Sequence, residues 1–297
     1  MNTENIQLYP ARTRVVPNIK LIKNLAKQSA KVFQSLLDGG AAQVVEKKNH
    51  KKHGEIVTTY TIANADGYDG DDPLDEFDYA VFSVCFSEMK TGNSNTTPAI
   101  VLRGLTGRIG RGDAEPSKDQ REWILNSIRK LMSMIITVDL SDTNEKLGYD
   151  GEKNLTGPIL PCKYVTTIIN GQPVKDVIYF TDESPILKIA EDRNQIIRYD
   201  ASLLDIPNQN NTPLVIMLKN YVLRRVFEII AHKMTPTLTF ADIFKKCKIP
   251  ESARREAKYD ARKIVENVFE NLQSKGAIKS FSFVKKGVLI HGVNFAY

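Results

Sequence analysis

The chain of 297 residues reads as an α+β protein in which one plan, three helices followed by a β-hairpin, occurs twice. Three observations predict this. Helical periodicity gives way to strand-like alternation in the same order over residues 76–180 and again over 212–295. Tight turns are marked by Asn170-Gly171 in the first copy and Lys285-Lys286-Gly287 in the second, each between β-branched and aromatic runs. The basic excess sits in the second copy: residues 212–297 hold 16 Lys and Arg against 7 Asp and Glu, a net +9, whereas residues 1–211 hold 25 against 28, a net −3.

The length suits two domains of about 100–150 residues each, and 42% hydrophobic with 26% charged residues is ordinary globular composition. No apolar run approaches the ~20 residues of a membrane span. The first twenty residues are polar where a secretory signal needs an apolar core, so a cytoplasmic protein is expected. Cys85, Cys162 and Cys247 are isolated and odd in number, without disulfide or zinc spacing. They read as small buried hydrophobes of a reducing compartment.

Residues 1–75 form a basic extension and linker. Positions 1–60 carry 10 Lys and Arg against 4 acids. A helix is predicted over 21–37, closed by Gly39-Gly40, and a strand over 56–62. The Lys/His run 47–53 between them reads as a solvated hairpin loop, or, functionally, as an arm for a DNA backbone. The acidic stretch 66–78 is broken by Gly67, Gly70 and Pro73 and lacks the closing Glu of a calcium loop, so it is read as a linker and helix cap.

Residues 76–207 form the first repeated unit. Phe77, Ala80, Val81, Val84, Cys85 and Met89 recur at helical spacing until Gly92. Thr97-Pro98 opens a short helix to Leu105, and Pro116-Ser117 opens a third to about Met132. On that third helix Ile124, Ile128 and Leu131 share one face while Lys118, Glu122, Asn126 and Arg129 share the other. A strand over 134–140, a polar loop, and a hairpin over 164–180 follow. A short helix is expected over 184–190, and the polar stretch 208–213 is taken as a boundary. Residues 212–297 repeat the plan: an apolar helix over 214–234, a short helix from Leu238-Thr239 to about Lys246, a long helix from Pro250-Glu251 to Gly276, and strands over 277–284 and 288–295. Helix, helix, helix, β-ribbon is a winged helix, so the fold predicted is two winged-helix (helix-turn-helix plus β-wing) domains in tandem.

The basic helix carries the functional expectation. Ala257, Ala261, Ile264, Val265, Val268 and Leu272 form its apolar stripe, and Arg255, Tyr259 and Arg262 fall opposite, with Arg254, Lys258 and Lys263 around them. Such a face suits the DNA major groove, where Arg reads guanine bidentately; Lys258 and Lys263 suit phosphates, and Lys285 and Lys286 at the wing tip suit backbone or minor groove. The face of Lys118, Asn126 and Arg129 is a second DNA candidate, although Asp119, Glu122 and a net −9 over residues 61–211 make a protein contact an alternative. Arg224-Arg225 on the apolar helix could touch phosphates or be structural. Catalytic signals are poor. Gly107-Arg-Ile-Gly-Arg-Gly-Asp113 lacks the Gly-Lys-Ser/Thr of a phosphate loop, and His50-Lys-Lys-His53 is not a His-hydrophobic-His metal pair. His232, within the buried helix, and His291, on the last strand, offer no evident base, so no enzyme activity, metal or cofactor is expected.

Across Phe77-Asp-Tyr-Ala-Val-Phe82, Thr97-Pro-Ala-Ile-Val-Leu-Arg-Gly-Leu-Thr-Gly107, Ser127-Ile-Arg-Lys-Leu131, Ser184-Pro-Ile-Leu-Lys-Ile-Ala-Glu191, Leu218-Lys-Asn-Tyr-Val-Leu-Arg-Arg-Val226 and the basic C-terminal unit, the chain resembles bacterial plasmid-type replication initiators. The resemblance spans about residues 75–297. It implies that the C-terminal winged helix reads repeated origin sites in double-stranded DNA, with base reading on Arg255, Tyr259 and Arg262, and that the N-terminal one mixes DNA contact with homodimerisation. Host replication proteins would be further partners, in a bacterial cytoplasm with nucleoid or plasmid association and away from membranes. The first sixty residues depart from that compact plan. The competing readings are a transcriptional regulator or partition-type DNA-binding protein and, from another class, a DNA-nicking relaxase-type enzyme.

Overall fold

A computed structural model describes residues 13–17, 42–64, 74–109, 115–148, 154–169, 172–192, 196–207, 210–287 and 289–297. The helix expected over 21–37 and most of the acidic stretch 66–78 lie outside them. Among the described residues the fold is mixed α/β, with eight α-helices and small antiparallel sheets.

The order opens with β1 (Thr13–Pro17), β2 (Ala42–His50) and β3 (Gly54–Asn64). α1 (Glu76–Lys90) follows, with Asp75 as its cap in a reciprocal capping box with Asp78. β4 (Asn95–Thr96) leads into α2 (Pro98–Thr106), which has Thr97 as cap, Pro98 at its first position and Gly107 at φ 77 ending it. α3 (Lys118–Ser133) starts from a second capping box, Ser117 with Gln120. The chain then runs through β5 (Met134–Asp139), α4 (Ser141–Leu147), β6 (Asn154–Pro158), β7 (Cys162–Ile169), β8 (Gln172–Phe180), α5 (Pro185–Asp192), β9 (Ile196–Asp200) and a 3-10 turn, Ala201–Leu204. The last part is α6 (Pro213–Ala231), β10 (Thr237–Thr239), α7 (Phe240–Lys246), α8 (Arg255–Ser274), β11 (Ser280–Lys286) and β12 (Leu289–Ala296).

Two of the sheets have the same topology. In one the order is β4-β8-β7 and in the other β10-β12-β11, so a short strand between first and second helices pairs with the closing strand of the hairpin in each. Thr96 faces Ile178 and Leu238 faces Val293 across those ladders. Ile169 faces Gln172 at the end of the first hairpin, and the expected Asn170-Gly171 turn lies outside the described residues.

Four expectations need correcting. The strand expected over 134–140 as part of the first unit is β5, which pairs with β3 and β6 in a separate sheet of order β2-β3-β5-β6, so β5, α4 and β6 are an insertion between α3 and β7. The supposed polar loop after it therefore contains α4 and β6. α8 begins at Arg255, because Pro250 opens only a single turn closed by Ala253 N–H to Pro250 C=O at 2.9 Å, after which Arg254 is extended. The second hairpin has Gly287 at φ 62 after β11, and Lys285 and Lys286 lie in β11 itself rather than at a turn, with a bulge between Val284 and Lys285.

One continuous hydrophobic cluster runs through all of this. α1 and α8 both pack on α6, whose apolar girth also buries Lys219, Asn220, Arg224 and Glu228. Arg224 Nη2 meets Glu76 Oε2 at 2.7 Å with both side chains nearly dry, and its guanidinium lies 4.6 Å from the Tyr79 ring centre and 5.3 Å from that of Tyr221. Burial works against the charged Arg224, but Glu76, Tyr79 and Tyr221 together outweigh it and hold the guanidinium above its ordinary pKa. Polar contacts tie the two repeated units: Asn220 Nδ2 donates to Leu105 C=O, Asn271 Nδ2 to Leu203 C=O and Lys275 Nζ to Ser202 C=O. From the N-terminal segment β1 pairs with β9, and Arg14, 1% exposed, donates to the carbonyls of Ala80 and Gly104. Cys85, Cys162 and Cys247 are all buried and free, and burial pushes the Cys162 thiol up to about 12.

Candidate nucleic-acid interface

α8 is amphipathic: Ala261, Val265, Val268, Phe269 and Leu272 are buried in its packed face. Phe269 completes a stripe in which Ala257 was expected, and Ala257 is exposed. A ladder of phenylalanines bolts hairpin and helices together, Phe269 lying 5.5 Å from Phe281 and 5.8 Å from Phe295, and Phe240 6.4 Å from Phe283.

The opposite face is left to solvent. Arg254, Arg255 and Lys263 are exposed, and none has a carboxylate partner among the described residues. Tyr259 is 63% exposed, the most exposed of the large apolar side chains among the described residues. A folded chain gains nothing by holding a tyrosine ring in water between unpaired cations, so this surface is the part of α8 that internal packing does not explain. Glu256 and Asp260 occupy the adjacent strip, while Glu266 and Glu270 fall in the second half, which leaves the positive charge on the N-terminal half. The helix dipole adds positive potential at that same end.

Two residues of the set are less free. Lys258 is half-buried and its Nζ donates to Glu251 C=O. Arg262 is half-buried where α8 meets α7, with its guanidinium carbon 5.5 Å from the Phe240 ring centre and 5.7 Å from that of Phe244, and its Nε is buried without a hydrogen-bond partner. It therefore differs from the sequence picture of a residue standing beside Arg255 and Tyr259 on the outer face. Stacking sets its direction, which a helical wheel does not register. On the hairpin Lys285 is exposed and Lys286 pairs through its backbone with Leu289.

The face of α3 is tied up differently. Lys118, Asn126 and Arg129 are exposed, but Arg129 Nη1 donates to Asn126 Oδ1 at 2.7 Å and to Glu122 Oε1 at 3.2 Å, and its guanidinium lies 5.8 Å from the Tyr164 ring centre. Neighbouring Arg121 pairs with Asp176 of β8. Burial raises the Asp176 carboxyl, but hydrogen bonds from Arg121, Tyr164 and Thr166 outweigh it and hold the pKa below the ordinary carboxylate value. This face is cross-linked to its hairpin, whereas that of α8 is open.

Elsewhere, Lys51, Lys52 and His53 form the exposed turn of the β2–β3 hairpin, with Lys47 to His50 in β2 itself. His232 is exposed at the end of α6 rather than inside a buried helix. Arg224 is committed to the core, and Arg225 Nη1 pairs with Glu228 at 2.6 Å. Sequence reasoning missed a cleft of about 410 Å3 between α1, α3 and the start of α6, lined in part by Trp123. The signal available was a lone tryptophan beside the stripe residue Ile124. Among the described residues no group of three His, Cys, Asp or Glu could hold a metal ion, and no helix is long and apolar enough to cross a membrane.

No protein-family model matches the chain, and no curated protein does. Among solved structures, a crystal structure of a selenomethionine derivative of domains 2 and 3 of RctB is 12% identical at a TM-score of 0.40, covering 86% of this chain and 90% of that one. A second crystal structure of RctB domains 2-3 is 10% identical at a TM-score of 0.42, covering 86% and 92%. Similarity at this level assigns neither fold nor function to this chain.

Proposed function

We propose that the chain binds double-stranded DNA sequence-specifically, without catalysis, through two winged-helix units of which the second is the principal reader. The observation that carries the reading is the open basic face of α8: exposed, unpaired Arg254, Arg255 and Lys263 around an exposed Tyr259, in a module of net charge +9. The first turns of α8 enter the major groove, about 12 Å wide. Arg255 takes a guanine edge bidentately, and Tyr259 meets a base edge or thymine methyl beside it. Arg262, stiffened by Phe240 and Phe244, directs its remaining donors along the same groove wall. Arg254, Lys258 and Lys263 neutralise phosphates, and Lys285 and Lys286 at the hairpin end meet the flanking backbone.

The finer reading is a replication initiator acting on repeated origin sites as a homodimer with host replication proteins. Two units held together by buried contacts support it, because a rigid pair of readers suits a long or repeated site better than a single half-site. Lys118, Asn126 and Arg129 would then make the weaker contact, since Arg129 already spends a donor on Asn126. Selection of bound duplexes from a random library tests the proposal. One enriched sequence, bound far more tightly than its scrambled version, is expected; uniform binding to all duplexes would overturn specificity.

A further inference from the structure

The cleft of about 410 Å3 beside α3 is of the size that takes a small organic ligand. Phe77, Trp123, Asn126, Arg129, Lys130 and Met217 are among its walls. The acceptors there are already used. The Asp75 carboxylate accepts from the N–H groups of Phe77 and Asp78 and is met by Lys248 Nζ at 3.0 Å. The Asp78 carboxylate accepts from Asp75 N–H at 3.0 Å, Ser127 Oγ–H at 2.5 Å and Lys130 Nζ at 3.4 Å. Asn126 Oδ1 takes Arg129 Nη1.

What remains unused among the described residues is donors: the Trp123 indole N–H, the Asn126 amide N–H groups, and the N–H groups that the Arg129 guanidinium and the Lys130 ammonium keep beyond their contacts with Glu122, Asn126 and Asp78. An aromatic plane with surplus donors and two cations complements a planar, acceptor-rich anion. We infer that this cleft binds a nucleoside phosphate, the base lying against Trp123 and the phosphate meeting Arg129 and Lys130. The ligand is a free nucleotide or one nucleotide of a single strand; the site shares no residue with the α8 face, and shares Asn126 and Arg129 with the weaker duplex contact of α3.

The chain contains one tryptophan, so its emission reports this cleft alone. The full chain is titrated with AMP, dTMP, adenosine, sodium sulfate and oligo(dT), with binding to the selected duplex followed in parallel. Saturable quenching by AMP or dTMP, with adenosine at least about tenfold weaker for want of the charge-assisted bonds, is expected for a free nucleotide. Quenching by oligo(dT) with the mononucleotides silent identifies a nucleotide within a strand. Lys130→Gln should weaken the phosphorylated ligands about tenfold and leave adenosine unchanged; the adenosine comparison itself needs no variant. Absence of saturable quenching by any nucleotide at millimolar concentration, or equal quenching by adenosine and AMP, or by sulfate, overturns the inference. Duplex binding through α8 is unaffected by that failure, and a failure of duplex binding by α8 leaves the mononucleotide result standing.

Discussion

Removing Arg224 should cost several kcal/mol, because it leaves a buried partner uncompensated. It lies in α6 between the rings of Tyr79 and Tyr221, 2.7 Å from Glu76 at the first turn of α1, with side-chain exposures of 8% and 6% for the pair. Arg224→Met keeps the apolar stem but strands the Glu76 carboxylate in a dry seam and removes two cation–π contacts. Breaking a buried pair by deleting one partner costs about 3–5 kcal/mol. With a urea dependence of about 3 kcal/mol per molar, the unfolding midpoint falls by about 1–1.7 M. Glu76→Leu alone strands the cation and should cost a similar amount, whereas the double variant replaces both charges and should be no less stable than Arg224→Met. Urea unfolding followed by circular dichroism on the four proteins reads the cycle. A cost below about 1 kcal/mol for Arg224→Met, or single effects that add within about 0.5 kcal/mol, would refute the view that this pair holds α1 to α6.

Gly107→Ala should destabilise by at least about 2 kcal/mol, because a left-handed φ of 77 is compounded by a Cβ 2.4 Å from Asp205 N. Gly148→Ala, at φ 67 with nothing within 4 Å, should cost only about 1 kcal/mol, and thermal melting of the two separates conformational strain from collision. Lys219 is 1% exposed, and burial lowers its pKa from 10.5 to about 8, with Asp205 opposing and Arg108 and Lys275 adding to the effect. Its folded pKa lies below the unfolded one, so unfolding takes up a proton between those values and the burial cost, full below pH 8, fades as pH rises to 10.5. Lys219→Met should therefore gain up to about 3 kcal/mol at neutral pH and almost nothing at the upper limit, as read from urea midpoints across that range; a gain independent of pH would contradict the assignment.

Much of the frame was legible because it rests on short-range chemistry. The Asp75, Thr97, Ser117, Thr212 and Thr239 caps and Pro98 and Pro213 mark helix starts that a sequence shows directly. Ile124, Ile128 and Leu131 fell on the buried face at 1%, 0% and 2% exposure because one face of α3 must pack. Strands of two or three residues, β4 and β10, are too short for any period to register, yet they define the sheet order shared by both units. The strand 134–140 was legible as β5, but its place in an insertion with α4 and β6 was not, for a different reason: pairing of β5 with β3 is a contact between residues far apart in sequence. The candidate site divides in the same way. Arg255 and Tyr259 are exposed as helical spacing requires, but Arg262 bends toward Phe240 and Phe244, on a different helix.

The most direct test of the DNA-binding proposal is the affinity of the full chain for its selected duplex and for a scrambled one as salt is varied. With Arg254, Lys258, Lys263, Lys285 and Lys286 on phosphates, the logarithm of affinity should fall against the logarithm of salt with a slope of about −4.5. Lys263→Gln should shallow that slope by about 1 on both duplexes, and Arg255→Gln should cost about 1–3 kcal/mol on the selected duplex alone. Equal affinity for the two duplexes, or an Arg255→Gln variant that still discriminates between them as the parent does, would contradict the assignment of base reading to α8.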